Sequence, residues 1–143
     1  ENVTEKIRTP EISMKASEVS ALPEVREFLL ETQKDIAREF NVIMDGRDIG
    51  TTVFPDAELK IFVTASPEIR ARRRYDELQA KGEEGSYEEI LENVKERDRI
   101  DTSRTVSPLR KADDAIELDN SHMTISEQKE WLATQFRKAA GAE

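Results

Sequence analysis

Apolar residues recur every three or four positions along several parts of the chain, which predicts amphipathic helices. Thr9 and Pro10 combine a cap residue with proline in the first turn, so they predict a short helix ending near Ala21. Pro23 begins a longer predicted helix of about five turns. Its stripe is made of Val25, Phe28, Leu29, Thr32, Ile36 and Phe40.

Cap residues and apolar spacing predict three more helices. Ser66 and Pro67 predict a helix start, and the run from Ser86 to Glu89 fits a capping box at the start of a helix over about 86–104. The last helix is predicted over about 125–139. Its inward side would carry Ile125, Leu132 and Phe136. Residues 1–9 are predicted to be extended.

Short apolar runs between these helices predict strands. The first would be buried and cover 42–45, and the second would cover 59–63. The second run is almost continuously apolar, which is typical of a parallel strand covered on both faces. A third strand, near a sheet edge, is predicted over 114–119. Helices and strands alternate, so the predicted class is α/β with parallel strands.

Composition narrows the function. The 143 residues are enough for one domain, and a net charge of −9 argues against a duplex nucleic-acid binder. The chain has no cysteine and a single histidine, His122, which excludes thiolate and histidine-cluster metal sites. No apolar run approaches a membrane span, and no signal-peptide pattern is present. The expected location is the cytoplasm, without a membrane partner.

The segment from Asp45 to Thr51 is the first candidate for chemistry. It follows the predicted strand 42–45, and two glycines, Gly46 and Gly50, flank the charged pair of Arg47 and Asp48. Ligands of open α/β sheets bind at the carboxyl ends of strands, and glycine allows close approach of the backbone. Two interpretations remain open for this segment, a ligand-binding loop and a turn with solvated charges.

A second candidate lies on the predicted helix 86–104. Its apolar stripe at Ile90 and Val94 continues, at helical spacing, to Arg97, Asp101 and Arg104. If that face stays inward, the charges need a charged ligand or one another, and convergent arginines suit phosphate. The alternative is a helix that leaves the protein, with these residues paired in solvent.

The helix that begins after Ser66 is rich in arginine and has few large apolar residues. A solvated, salt-bridged face is one interpretation. The other is a lid that closes over phosphates, with Gly82 and Gly85 at its exit. Its arginines are Arg70, Arg72, Arg73 and Arg74. No nucleophile and no metal cage are evident, although Asp45 or Asp48 could hold Mg²⁺ through water.

Several motifs, in order, resemble those of bacterial cytidylate kinases. They are Ile7 to Glu11, Ala16-Ser17, Val19 to Ala21, Val25 to Glu27, Gly46 to Thr51, Val53 to Ala57, Lys60 to Phe62, Ala65-Ser66, Arg70 to Arg74, Lys95 to Asp98, Asp101, Arg104 and Pro108. The resemblance runs from about Asn2 to Trp131. It implies the nucleoside-monophosphate-kinase type of P-loop fold. It also implies transfer of the γ-phosphoryl group of ATP to CMP or dCMP, with Mg²⁺.

The resemblance also implies roles for individual residues. Ser17, Arg26 and Asp48 would read cytosine, since a carboxylate accepts from the N4 amine while arginine and hydroxyl donate to N3 and O2. Arg97 and Asp101 would contact the ribose. Two arginines, Arg47 and Arg104, would bind the CMP phosphate. The lid arginines would neutralise charge on the transferring phosphoryl group. The expected catalytic residues are Arg47, Arg104, Arg73 and Arg74.

One departure from the family pattern bears on activity. The Gly-rich phosphate loop with its lysine, and the central first strand that carries it, have no counterpart in these 143 residues. We therefore interpret 1–22 as the tail of the insert that binds the monophosphate. Residues 23–143 would be a partial kinase core with a lid at about 66–105.

Such a piece is expected to be inactive alone and to hold no ATP or Mg²⁺. It is also expected to expose apolar surface at residues 42–44 and 59–63 and to self-associate through its exposed sheet edge. The alternatives are a non-catalytic nucleotide-binding module and an interaction module.

Overall fold

The computed structural model describes Val3, Ile7 and residues 9–141, and all five predicted helices are present. Most of the predicted extended segment 1–9 lies outside the described residues. The helices are α1 (Pro10–Ser20), α2 (Pro23–Glu39), α3 (Pro67–Ala80), α4 (Tyr87–Ser103) and α5 (Ile125–Ala139). The strands are β1 (Ile61–Thr64) and β2 (Ile116–Asp119). A π-helical turn, called here the π turn, covers Ile49–Val53.

Side-chain caps begin four of the helices, which explains why their starts were predictable. The capping hydroxyls belong to Thr9, Ser66, Ser86 and Thr124. At Ser86 the hydroxyl accepts from the Glu89 amide at 3.1 Å, the first half of the predicted box. The complete reciprocal box forms at Thr124, whose backbone amide donates to the Glu127 carboxylate at 2.7 Å.

The sheet in the described part of the chain has two parallel strands. Ile61 lies opposite Ile116 and Thr64 opposite Asp119, and α3 and α4 make the long connection that parallel strands need. The predicted α/β class with parallel strands is confirmed. The second and third predicted strands are confirmed with shifted ends.

The predicted strand at 42–45 is wrong. The segment has no strand pairing, and the Ile43 side chain is 98% exposed. A strand exists only when its backbone groups pair with a neighbouring strand, and β1 and β2 pair with each other instead. The apolar run favours burial, but the described residues do not cover it.

One expectation of exposure is confirmed and one prediction of burial fails. Val63 on β1 is 55% exposed, which agrees with the apolar surface expected at residues 59–63 and not with a strand covered on both faces. The side chains predicted to face inward from α5 are largely exposed as well, with Ile125 at 71% and Phe136 at 60%. Leu132 is also among the exposed apolar residues. No helix in the described part of the chain is long and apolar enough to cross a membrane.

The best-formed core lies between α3 and α4. Ala71 is completely buried, and it packs with Leu78 and Ile90. The partly buried apolar residues around them are Tyr75, Tyr87, Leu91 and Val94. The few apolar residues of α3 are thus sufficient to hold it on α4. The two helices form one packed hairpin.

Candidate functional site

The segment that carries Arg47 and Asp48 is held by backbone hydrogen bonds. The Asp48 carbonyl accepts from the amides of Thr51 at 3.3 Å, Thr52 at 2.8 Å and Val53 at 3.2 Å. Because these bonds belong to the π turn, the backbone reverses direction immediately after Asp48, whose residue exposure is only 6%. The predicted turn is real, but its key carboxylate is buried, which argues against a turn with solvated charges.

The Asp48 carboxylate lies between two arginines from distant parts of the chain. Arg26 Nη2 donates to its Oδ2, and Arg26 Nη1 also donates to the Ser20 carbonyl at 3.2 Å. Arg104 Nη2 lies 3.9 Å from Asp48 Oδ1, beyond hydrogen-bond distance. One carboxylate oxygen is thus firmly paired, and the other has only a distant ionic neighbour.

The charged row on α4 faces inward, as predicted. The side chains of Asp101 and Arg104 are each 5% exposed, so the alternative of a helix face in solvent is wrong for both. Asp101 Oδ2 accepts from Arg47 Nε at 3.1 Å, and its Oδ1 lies 3.9 Å from Arg104 Nη1. The row joins the segment after Met44 to α4.

Helix α1 completes the set through two serines. Arg97 Nε donates to Ser17 Oγ at 3.3 Å, and Ser17 is 3% exposed. Ser20 Oγ donates to the Ser17 carbonyl at 3.0 Å and accepts from Arg104 Nη1 at 3.4 Å. The structure brings all seven predicted substrate-contacting residues into one connected network, called here the arginine–aspartate cluster. Its members are Ser17, Arg26, Arg47, Asp48, Arg97, Asp101 and Arg104.

The cluster carries an excess of positive charge. Four guanidinium groups face two carboxylates, which leaves two positive charges uncompensated within it. Burial, then the Arg47 charge, lowers the pKa of Arg97. Burial, followed by the charge of Arg26, lowers the pKa of Arg104. Arginine nevertheless stays charged near neutral pH. A bound anion would therefore balance the excess positive charge of the cluster.

Two buried donors in the cluster lack a hydrogen-bond partner among the described residues. They are Arg26 Nε and Arg104 Nη2. An unsatisfied buried donor costs about 1–3 kcal/mol, and more when it is charged. Such donors indicate a place where a polar ligand would be stabilising.

Some contacts in this region were not predicted. Arg104 Nε donates to the Ser107 carbonyl at 2.7 Å, and Ser107 has a φ of 50°, in the left-handed region that serine rarely adopts. Ser20, described above, was also missed as a site residue. Ser107 contributes a backbone carbonyl and Ser20 a hydroxyl that meets Arg104 only in the folded chain, so neither residue type carries a distinctive sequence signal.

Arg70 makes contacts that tie α3 to its neighbours, and its predicted role in a lid stays a prediction. Its Nε donates to the Ala65 carbonyl at 3.1 Å, and its two terminal nitrogens donate to Asp98 at 2.9 and 2.5 Å. The hydrogen bond with Asp98 raises the pKa of Arg70. All three nitrogens are engaged, so Arg70 joins α3, α4 and the end of β1.

The other arginines of α3 also lie outside the cluster. The Arg72 guanidinium stacks 4.4 Å from the ring centre of Tyr87. Arg73 donates to the Asn120 side chain at 3.0 Å and to the Asn120 and Ser121 carbonyls at 2.6 and 3.2 Å. Arg74 pairs with Glu77 at 3.0 Å. The structure does not bring Arg73 or Arg74 to Arg47 and Arg104.

No magnesium site can be assigned from the described residues. Within the described residues, no group of three or more acidic, histidine or cysteine side chains could hold a metal ion. Asp48 is paired with Arg26. Mg²⁺ is therefore not assigned to Asp45 or Asp48.

The fold and the cluster define an α/β protein that gathers four arginines and two aspartates beside a short parallel sheet. The family model for cytidylate kinase matches residues 1–138, and the chain belongs to the cytidylate kinase family. Its fold class is thus the nucleoside-monophosphate-kinase type of P-loop fold, and enzymes of this family are phosphotransferases.

Curated relatives agree with this family. A cytidylate kinase of Bacteroides fragilis is 65% identical over 141 residues, covering 99% of the chain and 62% of the relative. One from Bacteroides thetaiotaomicron is 66% identical, covering 96% of the chain and 60% of the relative. One from Caldicellulosiruptor saccharolyticus is 52% identical, covering 100% and 63%. The chain therefore spans about three-fifths of the length of these relatives.

Proposed function

We propose that this chain supplies the acceptor-binding half of a cytidylate kinase. The full reaction transfers the γ-phosphoryl group of ATP to CMP or dCMP and yields ADP and CDP or dCDP. The observation that carries the proposal is the arginine–aspartate cluster, with its two uncompensated positive charges and two unpaired buried donors. A nucleoside monophosphate brings a dianionic phosphate and a polar base to such a site.

The phosphate is assigned to Arg47 and Arg104. The Arg47 side chain is 45% exposed and makes one hydrogen bond in the cluster, to Asp101, so it can turn toward a ligand that supplies Asp101 with a replacement donor. Arg104 is buried and has an unpaired Nη2. Guanidinium groups bind phosphate oxygens through two parallel hydrogen bonds, which suits both roles.

The base is assigned to Asp48, Arg26 and Ser17. The Asp48 Oδ1 atom, 3.9 Å from Arg104, is the less engaged carboxylate oxygen, and it can accept from the N4 amine of cytosine. Arg26 has an unpaired Nε that can donate to an acceptor on the ring. Uracil presents a carbonyl where cytosine has its amine, so Asp48 would face an acceptor and lose a hydrogen bond.

The ribose is assigned to Asp101 and Arg97. In the present arrangement Asp101 Oδ2 accepts from Arg47. When Arg47 turns to the phosphate, that oxygen becomes free to accept from a sugar hydroxyl. Phosphate binding and ribose binding would then be coupled through one carboxylate. Ser17 and Ser20 bring α1 to the same site, which supports placing residues 1–22 in the monophosphate-binding insert.

Transfer itself needs groups that these 143 residues do not include. No Gly-rich loop followed by lysine occurs in the sequence, so we expect the isolated chain to bind CMP without phosphorylating it. ATP, generally with Mg²⁺, is the donor used by the family. Protein catalysis of phosphoryl transfer rests on positioning and charge stabilisation.

Arg73 is the lid arginine best suited to stabilising charge on the transferred phosphoryl group. Its present partners are neutral oxygens of Asn120 and Ser121, whereas Arg70 is bound to the Asp98 carboxylate. A phosphoryl anion forms stronger hydrogen bonds with guanidinium than a carbonyl or amide oxygen does. Arg73 can therefore exchange its partners more readily than Arg70, and Arg74 stays a second candidate.

The substitution Asp48→Asn tests the base assignment. The amide nitrogen of asparagine can donate to uracil, so the preference of the chain for CMP over UMP should fall. The expected fall is about 5- to 100-fold, the equivalent of losing about 1–3 kcal/mol of discrimination. Calorimetric titration of the 143-residue chain with each nucleotide measures it.

Asp113→Asn, an exposed aspartate outside the cluster, is the matched control and should keep the wild-type preference. An unchanged CMP to UMP ratio in the Asp48→Asn chain would reject the role of Asp48. A wild-type chain that binds neither nucleotide would favour the alternative of an interaction module, whose charged groups only pair with one another.

A further inference from the structure

Lys60 is a buried lysine outside the arginine–aspartate cluster. Its side chain is 6% exposed, although lysine is almost never fully buried unless it is paired. Its Nζ donates to Asp114 Oδ1 at 2.9 Å, to Asp114 Oδ2 at 2.7 Å and to the Pro55 carbonyl. The ammonium group therefore uses all of its donor capacity on two segments that are far apart in sequence.

The aliphatic part of Lys60 packs against the π turn. A methyl group on Gly50 would lie 3.3 Å from Lys60 Cδ and 3.4 Å from its Cγ, so only glycine allows this contact without displacement. The Lys60 carbonyl in turn accepts from the Ile116 amide at 2.9 Å, at the start of β2. One residue thus contacts the π turn, the segment that follows it, and the approach to the second strand.

These contacts determine where the segment from Asp48 to Pro55 lies. At one end Arg26 binds the Asp48 carboxylate, and the Asp48 carbonyl receives the amides of the π turn. At the other end Lys60 binds the Pro55 carbonyl. The backbone between these two points is short and hydrogen-bonded, so a shift at Pro55 is transmitted to Asp48.

The energetics argue against a role in packing alone. Asp114 is 65% exposed, and an ion pair with so exposed a partner contributes little to stability. Burying the ammonium group is costly, and a methionine of similar length would fill the same space without that cost. A lysine at this position is explained by the directed hydrogen bond to Pro55.

We propose that Lys60 is a positioning residue, which holds the loop bearing Arg47 and Asp48 and thereby sets the preference of the site for cytosine over uracil. The inference rests on the proposed function, since it concerns the same site. It assigns Lys60 no contact with substrate.

The test compares Lys60→Met with Lys111→Met in the 143-residue chain. Lys111 also pairs with a carboxylate, Glu117 at 3.1 Å, but on the surface. Thermal melts establish that each variant folds, and titrations with CMP and UMP give the two affinities. We expect Lys60→Met to reduce the CMP to UMP preference about tenfold, which is ~1.4 kcal/mol, and Lys111→Met to leave it unchanged.

The outcomes separate the two claims. If the wild-type chain shows no preference for CMP, the proposed function fails and this inference fails with it. If the wild-type chain prefers CMP and Lys60→Met retains the full preference, the inference alone is overturned, even if the variant melts earlier. If Lys60→Met does not fold, Asp114→Asn replaces it. That variant removes the charged partner that aligns the Lys60 ammonium group with the Pro55 carbonyl, so the preference should fall by about twofold to threefold, and no reduction overturns the inference.

Discussion

At the scale of residues, ionic contacts differ greatly in how much they contribute to the stability of the folded chain. Asp48 and Asp101 are buried, and removing Arg26 or Arg47 would leave one of these buried carboxylates without its hydrogen-bonded arginine. Asp114 is largely exposed, and its interaction with Lys60 is worth much less in stability. The hydrogen bond from Lys60 nevertheless lowers the pKa of Asp114 below its ordinary 3.8.

This shift predicts a pH dependence of a definite sign. A carboxyl group whose pKa is lowered in the folded state contributes stability above the unfolded pKa, and the contribution is lost as pH falls through the folded value. The difference in free energy of unfolding between wild type and Asp114→Asn should therefore be complete at neutral pH and shrink below about pH 4. Urea unfolding at a series of pH values measures this difference.

Asp113→Asn serves as the neighbouring exposed control for this pH series. A difference between wild type and Asp114→Asn that grew on acidification would show that Asp114 does not form the Lys60 pair.

At the scale of elements, α3 and α4 form a hairpin joined at two levels. Ala71, Leu78 and Ile90 form its apolar core, and the pair of Arg70 and Asp98 lies on the same interface. The four arginines of α3 therefore differ in role: Arg70 holds the hairpin, whereas Arg73 contacts the loop after β2. The lid assignment of residues 66–105 stays a prediction.

Substituting Arg70 by lysine should weaken the hairpin. Lysine keeps the charge but cannot donate two parallel hydrogen bonds to Asp98 or reach the Ala65 carbonyl at the same time. Because Arg70 and Asp98 are 37% and 34% exposed, the expected loss is only about 0.5–1 kcal/mol in the free energy of unfolding. Chemical denaturation measures the loss.

Arg99→Lys is the matched control for this substitution. Arg99 makes a similar two-bond pair with Glu96 at 2.7 and 2.6 Å, but within α4 and with 67% of its side chain exposed. Its loss should be smaller. An equal or larger effect of Arg99→Lys would mean that Arg70 does not join the two helices.

The helices were predictable because their signals are local. A cap residue such as Ser66, followed by Pro67, determines a helix start from within a few positions, and the helix indeed begins there. The strand at 42–45 was not predictable from its apolar run, because pairing depends on a neighbour that the run does not specify. Ile43 is consequently almost fully exposed.

The site residues also divide into those that a local sequence pattern reveals and those that only the folded chain reveals. Arg97, Asp101 and Arg104 were found because helical spacing places them on the face that Ile90 begins. Lys60 escaped notice as a functional residue, because its role depends on Pro55 and Asp114, whose proximity only the folded chain reveals. Ser20 was missed because its hydroxyl meets Arg104 only in the folded chain, and Ser107 was missed because it contributes a backbone carbonyl.

At the scale of the whole molecule, the described residues leave much apolar surface uncovered. It is concentrated on α2, on the segment after it, on β1 and on α5. The most exposed apolar side chains of these four regions are Phe28, Phe40, Ile43, Val63, Ile125 and Phe136. Contiguous exposed apolar surface favours association, so self-association of the isolated chain stays a prediction. The contacts of the arginine–aspartate cluster lie among α1, α2, α4 and the π turn, so α2 borders both the cluster and the exposed apolar surface.

The central claim is that the arginine–aspartate cluster binds CMP. Its most direct test is NMR of the Nε–Hε groups of ¹⁵N-labelled arginine in the 143-residue chain during a CMP titration. The signals of Arg47, Arg97 and Arg104 should shift, while those of Arg38 and Arg99, exposed and paired within their own helices, should not. Unchanged signals from all three cluster arginines at high CMP concentration would contradict the claim.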